Sequence, residues 1–426
     1  MGVVQAMRGI LLCAAWYYSI IAGFFVLYCP VMYLLILNHQ LYRKVADHLF
    51  ALWELYPVAL FQWCNKMHLH HYGDYVNADE KAIIIMNHRT RVDWNYIWIA
   101  LYHAARSPHS GEERISLHTK LMEHKENINS KEKSNSFIRK LKHKLNQFLG
   151  GKSKIKFVLK DEIKNIPALG MLINGNSQRS KPFHDLCNIV TGWVMQMNYF
   201  LYVKRDWRDD QRSINQFVHY YNELNSDFRI VLFPEGTDLS VNNRHKSDRF
   251  ALANNLPCYE YVLHPRTTGW AVLCSQLLDT GLQAVYDVTV AYDIPAQTET
   301  DLMAGRLPRH TYFYFKRYPA EDLPRNEEVL RKWLNERWRE KESNLKNHHT
   351  YGTFLDSSDE PPVERPPRNL GAAIIAFIFW NLIDLIFLYF ILSNSWFQFW
   401  VIYHSLLLIF ITRKFGGFHN LQYKLL

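Results

Sequence analysis

His88 and Asp93 stand five positions apart in the run Asn87-His88-Arg89-Thr90-Arg91-Val92-Asp93-Trp94. An imidazole can take a proton from a hydroxyl near neutral pH, and a carboxylate can hold its tautomer and stabilise the imidazolium. The two make a base with an orienting partner and bring no nucleophile of their own, which suits acyl transfer to a substrate hydroxyl. His88 is the only one of the 20 histidines with Asp at +5. With that many histidines, about one such spacing is expected by chance. The plainer reading is a strand end followed by a helix N-terminus, with Asp93 serving the helix and His88 solvated.

Three further local sequences carry polar groups suited to chemistry. Gly192-Trp193-Val194-Met195-Gln196 is followed by Phe200-Leu201-Tyr202-Val203-Lys204-Arg205-Asp206-Trp207. Arg205 ends an apolar run there; a guanidinium in that place suits phosphate oxygens, although an isolated one is more often a surface ion pair. Leu232-Phe233-Pro234-Glu235-Gly236-Thr237 reads plainly as a Pro-Glu-Gly turn into a Thr cap. Tyr261-Val262-Leu263-His264-Pro265-Arg266-Thr267-Thr268-Gly269 supplies a second basic group, Arg266.

In order and spacing these four sequences resemble the glycerolipid acyltransferase superfamily, which includes the lysophosphatidate acyltransferases. Asn-His-Arg-Thr-Arg-x-Asp-Trp, Phe-Pro-Glu-Gly-Thr-Asp-Leu and Tyr-Glu-Tyr-Val-Leu-His-Pro-Arg-Thr-Thr-Gly look like its lysocardiolipin-acylating branch, and Val288-Thr289-Val290-Ala291-Tyr292 and Arg317-Tyr318-Pro319 extend the likeness. It covers about residues 40–345, insertions excluded. The resemblance implies an α/β fold with a largely parallel sheet flanked by helices. It implies that His88 is the general base that deprotonates a lysophospholipid hydroxyl, with Asp93 as its partner. The oxygen then attacks the thioester of acyl-CoA directly, with no acyl-enzyme.

Pro234, Glu235, Gly236 and Thr237 would form the acceptor site, where backbone N–H groups and Thr237 approach a phosphate beside a glycine that has no side chain. Glu235 would repel a phosphate, so its expected part is to organise the site by hydrogen bonds. Arg205 matches the position that binds glycerol phosphate, and Arg266 is a second candidate. The partners implied are acyl-CoA as co-substrate, a lysophospholipid and the membrane, with no metal and no cofactor. Lysocardiolipin, lysophosphatidylinositol, lysophosphatidylglycerol and lysophosphatidate all fit as acceptors. The endoplasmic reticulum membrane is the expected location, with the α/β domain facing the cytosol, or membranes that contact mitochondria.

The elements that must position these groups are legible as alternation. Strands are expected over 82–86, 199–203, 229–233, 286–292 and 311–316. Helices are expected over 92–104, 211–225, 247–255, 270–279 and 325–345. That order argues for parallel strands with helical crossovers. In 426 residues with 48% hydrophobic content, the apolar residues gather at both ends. Gly9–Leu37 has no charged residue and is interrupted by Pro30, so it reads as a retained anchor that spans or breaks near the proline. Residues 45–66 read as an interfacial or buried helix, since they hold Asp47, His48 and Glu54. Gly371–Ile391 and Trp396–Ile411 read as a helical hairpin with basic residues on one side; Asp384 inside it should be protonated or face the partner helix.

The expected units are therefore an anchor with its interfacial helix at 1–75, the acyltransferase domain at 76–345, a linker at 346–369, and the hairpin with a short tail at 370–426. Two insertions are expected in the domain. Residues 112–156 hold twelve Lys/Arg against five Glu and no Asp, and 134–149 within them patterns as a basic helix for an anionic membrane surface. Residues 171–191, between Pro167-Ala168-Leu169-Gly170 and Gly192-Trp193, read as a loop that departs from the family pattern and puts the placing of Arg205 in question.

The six cysteines form no C-x-x-C, against a zinc site or a disulfide framework. The net charge of +9 favours lipid over nucleic acid, because no reader motif accompanies it. Two other functions compete. A membrane lipid hydrolase could use His88 with water, but no Gly-x-Ser-x-Gly elbow is present. A lipid-binding protein that has lost catalysis is the other.

Overall fold

The computed structural model describes residues 2–106, 154–164, 182–294, 298–354 and 362–426. In chain order the strands are β1 (His68–Gly73), β2 (Val76–Asn77), β3 (Ala82–Met86), β4 (Ala105–Arg106), β5 (Ile155–Lys160), β6 (Leu201–Val203), β7 (Arg229–Leu232), β8 (Ala284–Tyr292), β9 (His310–Pro319) and β10 (Glu364–Arg365). The long helices are α1 (Gly2–Gly23), α2 (His39–Val58), α3 (Asp93–Ala104), α4 (Pro182–Met197), α5 (Trp207–Glu223), α6 (Val241–Ala253), α7 (Thr267–Asp279), α8 (Glu327–Tyr351), α9 (Gly371–Ser393) and α10 (Ser395–Phe415).

Among the described residues the main sheet runs β10-β1-β9-β8-β3-β7-β5-β6. The pairs from β8 to β6 are parallel, while β9 lies antiparallel to β8. The central strand shows why its sequence is apolar throughout. All five residues of β3 are buried. Ile83 and Ile85 pack on one face with α5, α7 and α8, and Ala82, Ile84 and Met86 pack on the other with α1, α2 and α3. A strand covered on both faces reads as a continuous hydrophobic run.

Five elements depart from the sequence reading: α4, β5, β1, β10 and α8. The segment 182–191 is helix, since α4 runs unbroken from Pro182 through Gly192-Trp193 to Met197. A proline is tolerated in a first helical turn, and Phe183, Leu186, Val190, Trp193 and Met197 recur at helical spacing. Residues 171–181, like most of 112–156 with the basic helix expected at 134–149, lie outside the described residues. The end of that basic segment is strand β5, whose Lys156 is buried against Asp47 at 2.6 Å. The sheet also takes β1 and β10 from outside 76–345. β1 pairs in parallel with β9, and β10 closes on β1. Helix α8 continues past 345 to Tyr351, where Gly352 caps it at φ +78°.

Among the described residues, three helices are long and apolar enough to cross a membrane: Gly2–Leu37, Gly371–Ser393 and Ser395–Phe415. The first carries a π-helical turn at Phe24–Tyr28, just ahead of Pro30, which absorbs the lost N–H of the proline. Helix α2 is buried along most of its length. Arg43 pairs with Asp47 at 2.8 Å and donates to the Met197 carbonyl at 2.9 Å, so these two buried charges compensate each other. Asp384 is buried, with Tyr18 and Tyr56 of the N-terminal helices within reach of its charge.

Candidate active site

The site forms at the carboxyl ends of β3, β5, β6 and β7, the edge where open α/β sheets present loops to ligands. Asn87, fully buried, fixes the end of β3. Its amide oxygen accepts from Val290 N at 2.9 Å and its amide nitrogen donates to Val290 O at 3.2 Å. The chain then turns, and His88 is held above the strand end while Asp93 becomes the first residue of α3.

His88 Nδ1 donates to Asp93 Oδ2 at 2.9 Å. The same oxygen accepts the backbone N–H of Arg89 at 2.7 Å and of Thr90 at 3.0 Å, and Oδ1 accepts the Tyr292 hydroxyl at 2.5 Å. Asp93 is fully buried and the His88 side chain is 18% exposed. The carboxylate thus spends its lone pairs on the turn, the ring and Tyr292, and His88 Nε2 is the nitrogen that can take a proton. Burial disfavours the imidazolium. The hydrogen bond and charge of Asp93, with the charges of Glu235 and Asp238, outweigh it and hold the His88 pKa above its ordinary value. The plainer reading of a solvated histidine does not describe this pair.

Glu235 lies beneath, also buried. Its Oε1 accepts from His88 N and from Trp338 Nε1, both at 3.2 Å, and its Oε2 accepts from Leu263 N at 3.2 Å. Burial pushes its pKa up to about 7 against the pull of His88 and these donors. One carboxyl therefore ties the His88 turn, the 261–266 loop and α8 together. Pro234, buried beside it, accepts the Arg266 backbone N–H at 2.8 Å.

Gly236 has φ +70°, and a Cβ there would lie 3.3 Å from Arg266 Cδ and Nε and 3.9 Å from Arg205 Nη2. Both arginines named from the sequence thus converge on this glycine. Arg205 Nη2 donates to Gly236 O at 2.5 Å. Arg205 itself sits at φ +66°, with its N–H held by Asp210 Oδ2 at 3.1 Å; a non-glycine residue in that region costs on the order of 1 kcal/mol. Lys160, at the end of β5 and in register with Val203, joins them. Burial, then the charges of Arg205 and Arg91, lower its pKa. Among the described residues, Lys160, Arg205 and Arg266 have no carboxylate partner within ion-pair distance. The Thr237 hydroxyl accepts from Asn243 Nδ2 at 2.9 Å and donates to Asp238 Oδ1 at 3.3 Å.

A narrow apolar cavity opens beside Trp94, the neighbour of Asp93. It is lined by Trp16, Ile20 and Phe24 of the first span, by Phe50 of α2 and by Trp380 of α9. The Trp16 and Trp94 rings lie 4.8 Å apart.

The sequence does not mark Asn87, Lys160, Tyr292 or Trp338 as site residues. One signal did exist for Trp338. The buried stripe Leu330, Leu334, Trp338, Lys341 and Leu345 of α8 includes a lysine at an apolar spacing, which calls for polar partners beneath.

Two family models match the chain: Acyltransferase over residues 68–149 and Acyltransferase C-terminus over residues 301–380. Lysocardiolipin acyltransferase 1 of Mus musculus is 30% identical over 92% of this chain and 88% of its own. Lysophosphatidylinositol acyltransferase 10 of Caenorhabditis elegans is 26% identical over 89% and 83%. Among solved structures, the 1-acyl-sn-glycerophosphate acyltransferase PlsC of Thermotoga maritima aligns at 15% identity over 80% of this chain and 98% of its own, with a TM-score of 0.42. With the first relative matched almost from end to end, the chain belongs to the glycerolipid acyltransferase superfamily and is an O-acyltransferase.

Proposed function

We propose that the protein transfers a fatty acyl group from acyl-CoA to the free hydroxyl of a lysophospholipid. The observation that carries this reading is the His88–Asp93 hydrogen bond of 2.9 Å, together with Arg205 and Arg266 converging on Gly236, neither with a carboxylate partner among the described residues. His88 Nε2 takes the hydroxyl proton of the acceptor. The oxygen attacks the thioester carbonyl carbon, the carbon–sulfur bond breaks, and the imidazolium returns its proton to the CoA thiolate. Asp93 holds the ring and stabilises the imidazolium between these steps. Arg205 and Arg266, with Lys160, receive the acceptor phosphate. The apolar cavity beside Trp94 receives the acyl chain.

The names of the relatives favour a lysocardiolipin or lysophosphatidylinositol acceptor. We further propose a place in phospholipid remodelling at the endoplasmic reticulum or membranes contacting mitochondria. Membranes expressing wild type and His88→Ala, given labelled oleoyl-CoA and a panel of lysophospholipids, test the reading. Acylation of one acceptor by wild type alone is expected. Transfer by the alanine variant would remove His88 from its role, and CoA release without any acylated acceptor would favour a hydrolase.

A further inference from the structure

We infer that Trp338 is a positioning residue of this site, whose indole N–H holds the carboxylate oxygen that also receives the His88 backbone N–H. The inference rests on His88 acting as the base. Trp338 Nε1 and His88 N both reach Glu235 Oε1, each at 3.2 Å. They come from segments 250 residues apart in the chain. His88 lies in the stretch matched by the Acyltransferase model and Trp338 in that matched by the C-terminus model. The two matched stretches thus meet on one atom.

The indole cannot easily leave this place. Trp338 is fully buried. Three residues along α8, the buried Lys341 is paired with Asp287 and donates to Val288 O at 2.6 Å and Thr289 Oγ1 at 3.3 Å. That clamps α8 to β8, the strand whose last residue, Tyr292, holds Asp93. A carboxylate away from water depends on each donor it has. Without the indole N–H, Glu235 takes up a proton more readily, and its charge no longer supports the imidazolium of His88.

The test places two residues at 338: phenylalanine, and β-(3-benzothienyl)alanine installed by nonsense suppression. The second keeps the shape of the indole with sulfur in place of N–H, so it decides if Trp338→Phe fails to fold. kcat, both KM values and the pH profile of kcat are read in membranes. Expected is a fall in kcat of about tenfold, both KM values within about twofold, and an acid limb moved to lower pH. Loss of packing alone would lower the amount of active enzyme and leave the limb in place. A benzothienyl variant with wild-type kcat and profile overturns the role of Trp338 while leaving acyl transfer intact. A wild type that transfers nothing from acyl-CoA sinks the functional reading and this inference together.

Discussion

The Tyr292 hydroxyl donates to Asp93 Oδ1 at 2.5 Å, on the carboxylate edge away from His88. The partner of the base is therefore oriented from two sides, by its own turn and by the last residue of β8. Tyr292→Phe keeps the ring and removes this donor. kcat should fall by roughly 10- to 100-fold, the order of one hydrogen bond to a charge, with protein levels unchanged. Steady-state rates on immunoblot-normalised membranes check it; an unchanged kcat would show that the turn alone fixes Asp93.

The raised pKa of His88 sets the pH dependence. A base must be neutral to accept a proton, so activity should rise with pH through a midpoint above the ordinary imidazole value of about 6.5. Asp93→Asn removes the chief support of the imidazolium. It should shift that midpoint downward while lowering kcat by orders of magnitude, as judged from rates between pH 5.5 and 9.

Arg205→Ala should raise the KM for the lysophospholipid more than that for acyl-CoA, because its guanidinium lies at Gly236 with no carboxylate partner among the described residues. Arg266→Ala should act in the same direction. Titrating each substrate at saturating levels of the other separates the effects, and equal losses would argue against a phosphate role.

Gly236→Ala meets two obstacles, a φ of +70° and a contact of 3.3 Å with Arg266. A cost of roughly 1–2 kcal/mol is expected, taken partly as displacement of Arg266. A loss of acceptor affinity greater than the loss of thermal stability would be the sign of it.

Glu235 gives a stability prediction with a definite sign. Its folded pKa, about 7, lies above the ordinary value. The burial is thus tolerated fully at low pH, and stability is lost as pH rises through the unfolded and then the folded value. From below pH 4.5 to above 7, Glu235→Gln should gain on wild type by up to about 3 kcal/mol. Thermal unfolding of both proteins in detergent across this range checks the slope, and parallel curves would refute it.

Much of this was legible because the residues involved are local. The buried run 82–86, the His-Asp turn after it and the Pro-Glu-Gly turn each lie within a few positions, and strand–helix alternation places them at one sheet edge. What sequence did not yield came from distance or from composition. β1 reads His-Leu-His-His-Tyr-Gly and resembles no strand until β9 lies beside it. β5 is hidden inside a lysine-rich stretch. Helix 182–197 was masked by the loop-like residues before it. Trp338 and Tyr292 act only through contacts across some 100 to 200 positions of chain, which no local spacing reports.

The contact between Trp16 and Trp94 has a practical consequence. The apolar N-terminal helix is one wall of the cavity beside Trp94, the residue after Asp93, so a helix apolar enough to cross a membrane is packed into the catalytic fold. A fragment lacking residues 2–37 would turn Phe50, Trp53, Trp94 and Trp98 out to water, an apolar patch of the kind that drives aggregation. Purification must therefore keep anchor and catalytic fold as a single piece, and detergent chosen for the helix is also chosen for the active site.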